Sequence, residues 1–239
     1  MSDGIQNIVL SDLALMLLPA GIVMVIFWRW SLGMGSTMYA VGRMLLQLTL
    51  IGYILVAIFQ TESAWIVLGV LIVMLFFSGW IALRTVPEKR IALMVKALGS
   101  ILIGGGVTLI FVTQGVLHLK PWYLPHYMIP LAGMVFANAM NSVSLAAERY
   151  YSERVEGLDR IAARNKAMQA AMIPVINALF AVGLVSLPGM MTGQILSGVS
   201  PLIAARYQIM VMLMIFSATG ISTALFLYGI WYREKGTGR

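Results

Sequence analysis

Apolar positions along this chain neither alternate nor recur as one stripe of a helix; they run on, in seven long stretches. These cover about 8–28, 44–60, 64–83, 91–118, 127–147, 168–187 and 208–231, against the roughly 20 apolar residues a helix needs to cross a bilayer. Continuous runs predict helices, since a transmembrane barrel would show short alternating segments. The second run is short, and STMYAVGRMLLQL keeps a helical pattern, so its helix is expected to begin before Arg43. In the long fourth run, Gly104, Gly105 and Gly106 would kink the helix or admit a neighbour closely. The predicted fold class is an all-α integral membrane protein of about seven transmembrane helices, one polytopic domain over 1–239.

The polar positions between the runs orient it. Alternating the loops places Arg29, Arg43, Arg84, Lys89, Arg90, Lys96, Arg149, Arg154, Arg160, Arg164, Lys166, Arg233, Lys235 and Arg239 on one side. Only Lys120 and Arg206, of 16 basic residues, fall on the other. Excess Lys and Arg marks cytoplasmic loops, so the N-terminus is expected outside and the C-terminus inside. Trp28, Trp30, Trp65, Trp80, Trp122 and Trp231 all lie at span ends, where aromatic belts form. The net charge of +7 is thus a topology signal, spread over four segments, and argues against nucleic-acid binding.

Composition agrees. The chain is 60% hydrophobic and 10% charged, against about 45–50% and 25% in soluble domains. The first residues, MSDGIQNIVLSD, are acidic and lack the basic start of a cleavable signal, so the first run reads as a retained span. Cysteine is absent, which removes disulfides and thiolate metal sites. There is no internal repeat, and seven spans do not divide into the paired halves common in secondary transporters.

Several chemistries are missing. Asp12 and Lys96 lie near span ends, and the core holds no chain of Asp, Glu or His to relay protons. No G-x-x-x-x-G-K-[ST] phosphate loop is present, so the chain is not expected to hydrolyse ATP itself. His118 and His126, eight apart in HLKPWYLPHY, are too few ligands for a zinc site and read as interfacial anchors. No catalytic residues are assigned, and the chain is not expected to be an enzyme.

Polarity without charge remains. In IPLAGMVFANAMNSVSLA, Met134, Asn138 and Asn141 fall near one helical face, while Ala132, Gly133, Ala137 and Ala139 would let helices approach. Pro174 and Asn177 stand together in the sixth run, and Gln47 in the second. Such amides either bond across helices, each worth roughly 0.6 kcal/mol, or line a polar path. The stretch GLVSLPGMMTGQILSG, 183–198, is uncharged; Pro188 and Gly189 would end a helix, and Gly193 and Gly198 permit a bent or re-entrant segment. Irregular backbone at membrane depth is tolerated where it is buried or lines a wet cavity. Met190 and Met191 would offer thioethers, which favour copper(I) over iron, or simply fill gaps. An external gate over about 187–201, hinged at Pro188, Gly189 and Gly193, is the reading.

Three blocks carry a resemblance: VGRMLLQLTLIGYIL at 41–55, IPLAGMVFANAMNSVSLA at 129–146, and AVGLVSLPGMMTGQILSGVSPLIAARYQIMVM at 181–212. The chain resembles the FetB family of membrane permeases, formerly an uncharacterised bacterial family, which includes plant aluminium-tolerance proteins. The resemblance implies an ABC-type permease of the bacterial cytoplasmic membrane, a homodimer that pairs with a separate P-loop ATPase subunit. ATP and Mg would sit on that partner, with no cofactor bound directly. Bacterial members are linked to iron export, a plant pair to a sugar nucleotide.

The motor is expected on the basic segment 148–169, with Glu153, Arg154 and Glu156 as coupling residues. Here the chain departs from the family: members follow an ERVE-like segment with an L-G-A-[ST]-P turn and another helical stretch, whereas VEGL runs directly into DRIAARNKAMQAAMIP. The reading is the membrane subunit of an ATP-driven iron exporter, with a pathway through Gln47, Asn138, Asn141, Asn177, Met190 and Met191 and no assigned metal ligands. Alternatives are an ABC permease for an organic solute, a membrane interaction protein, and a channel or secondary transporter.

Overall fold

A computed structural model describes residues 9–236, with side chains described up to Tyr232 except that of Leu10. Ile8, where the first run begins, lies outside the described residues, as do the side chains of Arg233 and Lys235, and Arg239. Every element of the described residues is helical: α1 (Leu10–Leu15), α2 (Leu17–Arg29), α3 (Met34–Phe59), α4 (Ala64–Ala82), α5 (Arg90–Ile110), α6 (Pro125–Val155), α7 (Arg160–Ala181), α8 (Gly189–Leu196) and α9 (Pro201–Gly236). The chain divides into two compact units. The first holds residues 1–61 with 196–198, and the second holds 62–195 with 199–239.

In the first unit, α2 ends where the Leu32 amide donates to the Phe27 carbonyl at 2.9 Å and the Ser31 amide to Trp28 at 3.2 Å, the reciprocal bonding that closes many helices. The following helix starts at Met34, well before Arg43, as the pattern required. Its 26 residues make about 39 Å at 1.5 Å per residue, more than the roughly 30 Å hydrocarbon core.

The second unit is organised around α9, which packs on α5, α6 and α7. Small residues make this possible. A Cβ on Gly104 would stand 2.4 Å from Ser222 Oγ and 2.6 Å from the Ser222 amide nitrogen, and one on Gly105 2.8 Å from Val135. The glycine run therefore admits α9 on one side and α6 on the other, and α5 carries through it unbroken. Ala132 and Ala139 on α6 and Ala163, Ala167 and Ala171 on α7 are buried, whereas Ala137 is exposed. Where three helices meet, Ser142 and Thr223 hydroxyls are 2.6 Å apart and Ser142 also donates to the Ala171 carbonyl at 3.2 Å.

Among the described residues six helical stretches are long and apolar enough to cross a bilayer: Ser11–Arg29, Met34–Phe59, Ala64–Thr85, Pro87–Val116, Pro125–Val155 and Pro201–Tyr232. The expected span at 168–187 differs from the others. Its helix, α7, begins at Arg160 and stops at Ala181, because Val182 turns extended and Gly183 takes φ +83°. Arg160, Arg164 and Lys166 make its first turns basic, and the apolar remainder is too short to span alone. Nevertheless the chain traverses the unit here. Lys166 pairs with Glu153 at one end of α6, and Met190 shares a cavity with Met134 and His126 toward the other end. A helix, a turn and the short α8 together make that passage.

Most basic residues of the second unit, Lys120 and Arg206 apart, gather at one end. There Arg90 lies over the Trp80 ring at 3.6 Å and donates to the Trp80 carbonyl, Lys89 lies over Tyr151 at 3.6 Å, and Lys96 Nζ donates to the Gly229 carbonyl at 2.6 Å. We call this the basic end, and the opposite one the pocket end.

Candidate functional site

At the pocket end, a cavity of about 430 Å³ opens between α6, α8 and the start of α9. Three helical stripes build it. His126, Pro130 and Met134 recur every four residues on α6, Met190 and Gln194 stand one turn apart on α8, and Ile203, Tyr207 and Met210 follow on α9. Spacings of three and four place residues on one helix face. The lining contains no carboxylate and no Lys or Arg. Gln194 Oε1 is buried with no hydrogen-bond partner, a costly state for an amide. Among the described residues no cluster of three His, Asp or Glu could hold a metal ion. The site can bind a soft or weakly polar guest.

Of the residues singled out in the sequence, Met190 lines this cavity, while Met191 is half-buried outside its lining. Asn138 sits one turn from Met134 and donates back to the Met134 carbonyl at 2.8 Å. Asn141 and Asn177 are exposed on the faces of α6 and α7 that turn away from the bundle core. Gln47 is exposed on α3 of the first unit. His118 bonds the Gln114 carbonyl through Nδ1 at 2.9 Å, outside the cavity lining. The 187–201 segment is a turn followed by α8, begun at Gly189 after Pro188, whose carbonyl accepts from the Thr192 amide at 3.0 Å. Nothing lies within 4 Å of a Cβ built on Gly189 or Gly193. The glycines of the 183–198 stretch that the backbone demands are Gly198, at φ +88°, and Gly183, whose amide bonds the Ser186 carbonyl at 2.9 Å in the turn closing α7.

Sequence reading found the span of α9 but missed its buried polar face. Gln208 Oε1, Thr219 Oγ1 and Ser222 Oγ are buried there without hydrogen-bond partners, beside the paired Thr223. Spacings of eleven from Gln208 to Thr219, and of three and four from Thr219 to Ser222 and Thr223, put them close to one face, a signal that a helical projection of 208–223 would have shown.

The basic end carries the other feature. Helices α6 and α7 form a hairpin across four residues, 156–159. The Leu158 amide donates to the Glu153 carbonyl at 3.1 Å and Gly157 to Arg154 at 3.3 Å, and Gly157 takes φ +90°, the geometry of a Schellman close. Asp159 then caps α7, accepting from the Ile161 and Ala162 amides at 2.8 and 3.0 Å. Those two amides hold its carboxyl below the usual Asp value, with Arg154 adding to the effect. Glu153, read from sequence as a coupling residue, is fully buried, pairing with Arg149 and with Lys166 at 3.0 Å; it serves the hairpin from within. Arg154 donates to the Leu158 carbonyl at 2.7 Å, and Glu156 is exposed. Val155, 89% exposed, and Ile161, 53%, flank the turn. Their apolar exposure at a charged tip has no counterpart in the sequence reading.

The profile of UPF0014, an uncharacterised protein family, matches residues 10–234. The chain is 35% identical over 204 residues to a UPF0014 membrane protein of Synechocystis sp., covering 79% of each. It is 32% identical over 250 aligned residues to the probable iron export permease protein FetB of Escherichia coli, covering 96% of this chain and 93% of the relative. Over 219 residues it is 35% identical to the protein ALUMINUM SENSITIVE 3 of Arabidopsis thaliana, covering 82% and 76%. No solved structure matches it. With nearly its whole length inside the match, the chain belongs to UPF0014, as a multi-pass all-α membrane protein.

Proposed function

We propose that this chain is the membrane subunit of an ATP-driven, ABC-type exporter of iron, working as a homodimer on two P-loop ATPase subunits. The observation that carries the reading is the similarity, over 96% of the chain, to a probable iron export permease. The positive-inside rule would set the basic end in the cytoplasm, where the α6–α7 hairpin is the natural contact for a motor. Its exposed Val155, Glu156 and Ile161 would meet the ATPase, while the buried Glu153, paired with the exposed Lys166, ties the two helices together. ATP and Mg would be held by that partner. Asn141 and Asn177, exposed on their unit, suit a pathway formed with further protein around it, since amides facing lipid are costly.

Gentle purification from the native membrane, followed by mass spectrometry of what accompanies the chain, tests this. A stoichiometric P-loop ATPase, with flux that needs ATP, supports the permease reading. A homo-oligomer alone, with flux indifferent to ATP, removes it in favour of a channel.

A further inference from the structure

We propose that the cavity at the pocket end is a binding site for a soft monovalent cation of the copper(I) or silver(I) class, held by the thioethers of Met134, Met190 and Met210 with the imidazole of His126. Three of its twelve lining residues are methionine, against 18 of 239 in the chain, so the cavity is enriched well beyond what gap-filling across the protein would place there. The three methionines that line it belong to three different helices, α6, α8 and α9, so their thioethers can approach an ion from separate directions. Thioether and imidazole donors select soft d¹⁰ cations, whereas hard ions require carboxylate or carbonyl oxygens. No carboxylate lines the cavity.

Two further observations point to a ligand. Gln194, one turn from Met190, lines the same cavity, and its Oε1 is buried without a hydrogen-bond partner; rotation of the terminal amide would offer that oxygen to a bound ion or its water. Tyr127 and Tyr207 complete the wall, and aromatic faces favour cations. The cavity is larger than an ion, so the occupied form has the sulfurs drawn inward. Methionine's three rotatable bonds allow that, and α8, with open space around Gly189 and Gly193, can follow. The proposal is independent of the transport reading: it concerns equilibrium binding, with or without an ATPase.

The test is titration of the full chain, purified in detergent, with copper(I) in competition with a chromogenic copper(I) chelator, and with silver(I) as the redox-inert probe. Because the chain has no cysteine, sulfur seen around bound copper by X-ray absorption must come from methionine. About one copper(I) per chain with sulfur neighbours is expected, each of Met134→Leu, Met190→Leu and Met210→Leu weakening binding about tenfold or more. Leucine nearly conserves volume, and a retention profile by gel filtration confirms folding. No binding by the wild-type chain, unchanged binding in the triple variant, or equal affinity for iron(II) at the same residues would overturn the proposal. Loss of the ATPase-dependent flux alone would leave it standing.

Discussion

The two ends of the second unit are made differently. At the basic end several charges have partners: Glu153 with Lys166, Arg90 with Trp80, Lys89 with Tyr151, Arg154 with the Leu158 carbonyl. Deeper in, Gly104 lies flush against Ser222, with no room for a methyl group. At the pocket end Gly189 and Gly193 face open space, Gln194 holds an unpartnered oxygen, and three helices stand back from a cavity. Clefts of about 440 and 370 Å³ open at the basic end too, and Ser222 Oγ is itself unpartnered. The difference therefore lies in helix packing: a closely packed interior scarcely compresses and passes displacement on, whereas α8 has open space beside its glycines. The contrast fits a lever at one end and a mouth at the other.

The largest effect should come from reversing that contrast with one residue type. Gly104→Leu drives a branched side chain into the Ser222 backbone and should leave little folded protein, with even Gly104→Ala costing about 1–3 kcal/mol. Gly189→Leu enters open space and should fold and insert normally, yet lower export by stiffening the entry to α8, as should Pro188→Ala. Fluorescence-detected gel filtration beside flux in vesicles reads both. Equal stability loss at positions 104 and 189 would dissolve the distinction, and unchanged flux in Gly189→Leu and Pro188→Ala would remove the gate.

Next comes the hairpin. Glu153→Gln leaves Lys166 and Arg149 facing a neutral amide inside the α6–α7 joint and should lower the thermal midpoint clearly. Glu156→Gln, on the exposed turn, should move stability by no more than about 0.5 kcal/mol while weakening ATPase co-purification. The reverse pattern would return Glu153 to the docking surface that sequence alone suggested.

That pair shows where sequence ran out. Most spans were legible because run length is a one-dimensional property, and Met34 as the start of α3 followed from an unbroken helical pattern. The end of α7 was not, since Val182 and Gly183 continue an apolar run while the backbone leaves the helix. Glu153 reads as a solvated charge until the turn at 156–158 brings Lys166 back beside it. The cavity was half legible: Met190 stood out for its surroundings, but His126, Tyr207 and Met210 look like ordinary stripe residues until three helices converge.

A smaller effect probes the turn that closes α7. Gly183 has φ +83° and nothing within 4 Å of a built Cβ, so Gly183→Ala tests backbone strain without steric clash. A left-handed alanine costs about 1–2 kcal/mol, and the loss should appear as faster hydrogen exchange at the Val185 and Ser186 amides, which bond the Ala181 carbonyl. Unchanged exchange would mean that the pocket end already relaxes this turn.

The smallest expected effect lies at the basic end and turns on a proton. Asp159 accepts from the Ile161 and Ala162 amides, and its folded carboxyl titrates below the usual Asp value. A depressed carboxylate contributes its stabilisation fully above the unfolded value of about 3.9 and loses it as pH falls through the lower, folded one. Exchange at Ile161 and Ala162, corrected for the intrinsic rate, should therefore be flat near neutrality and show lost protection only in acid. Asp159→Ala should expose both amides at every pH. Asp159→Asn keeps an acceptor and a favoured cap but cannot titrate, so its protection should persist through the acid range in which the wild type fails. If Asn also failed there, the acid sensitivity would belong to the Glu153–Lys166 pair beneath the cap rather than to Asp159.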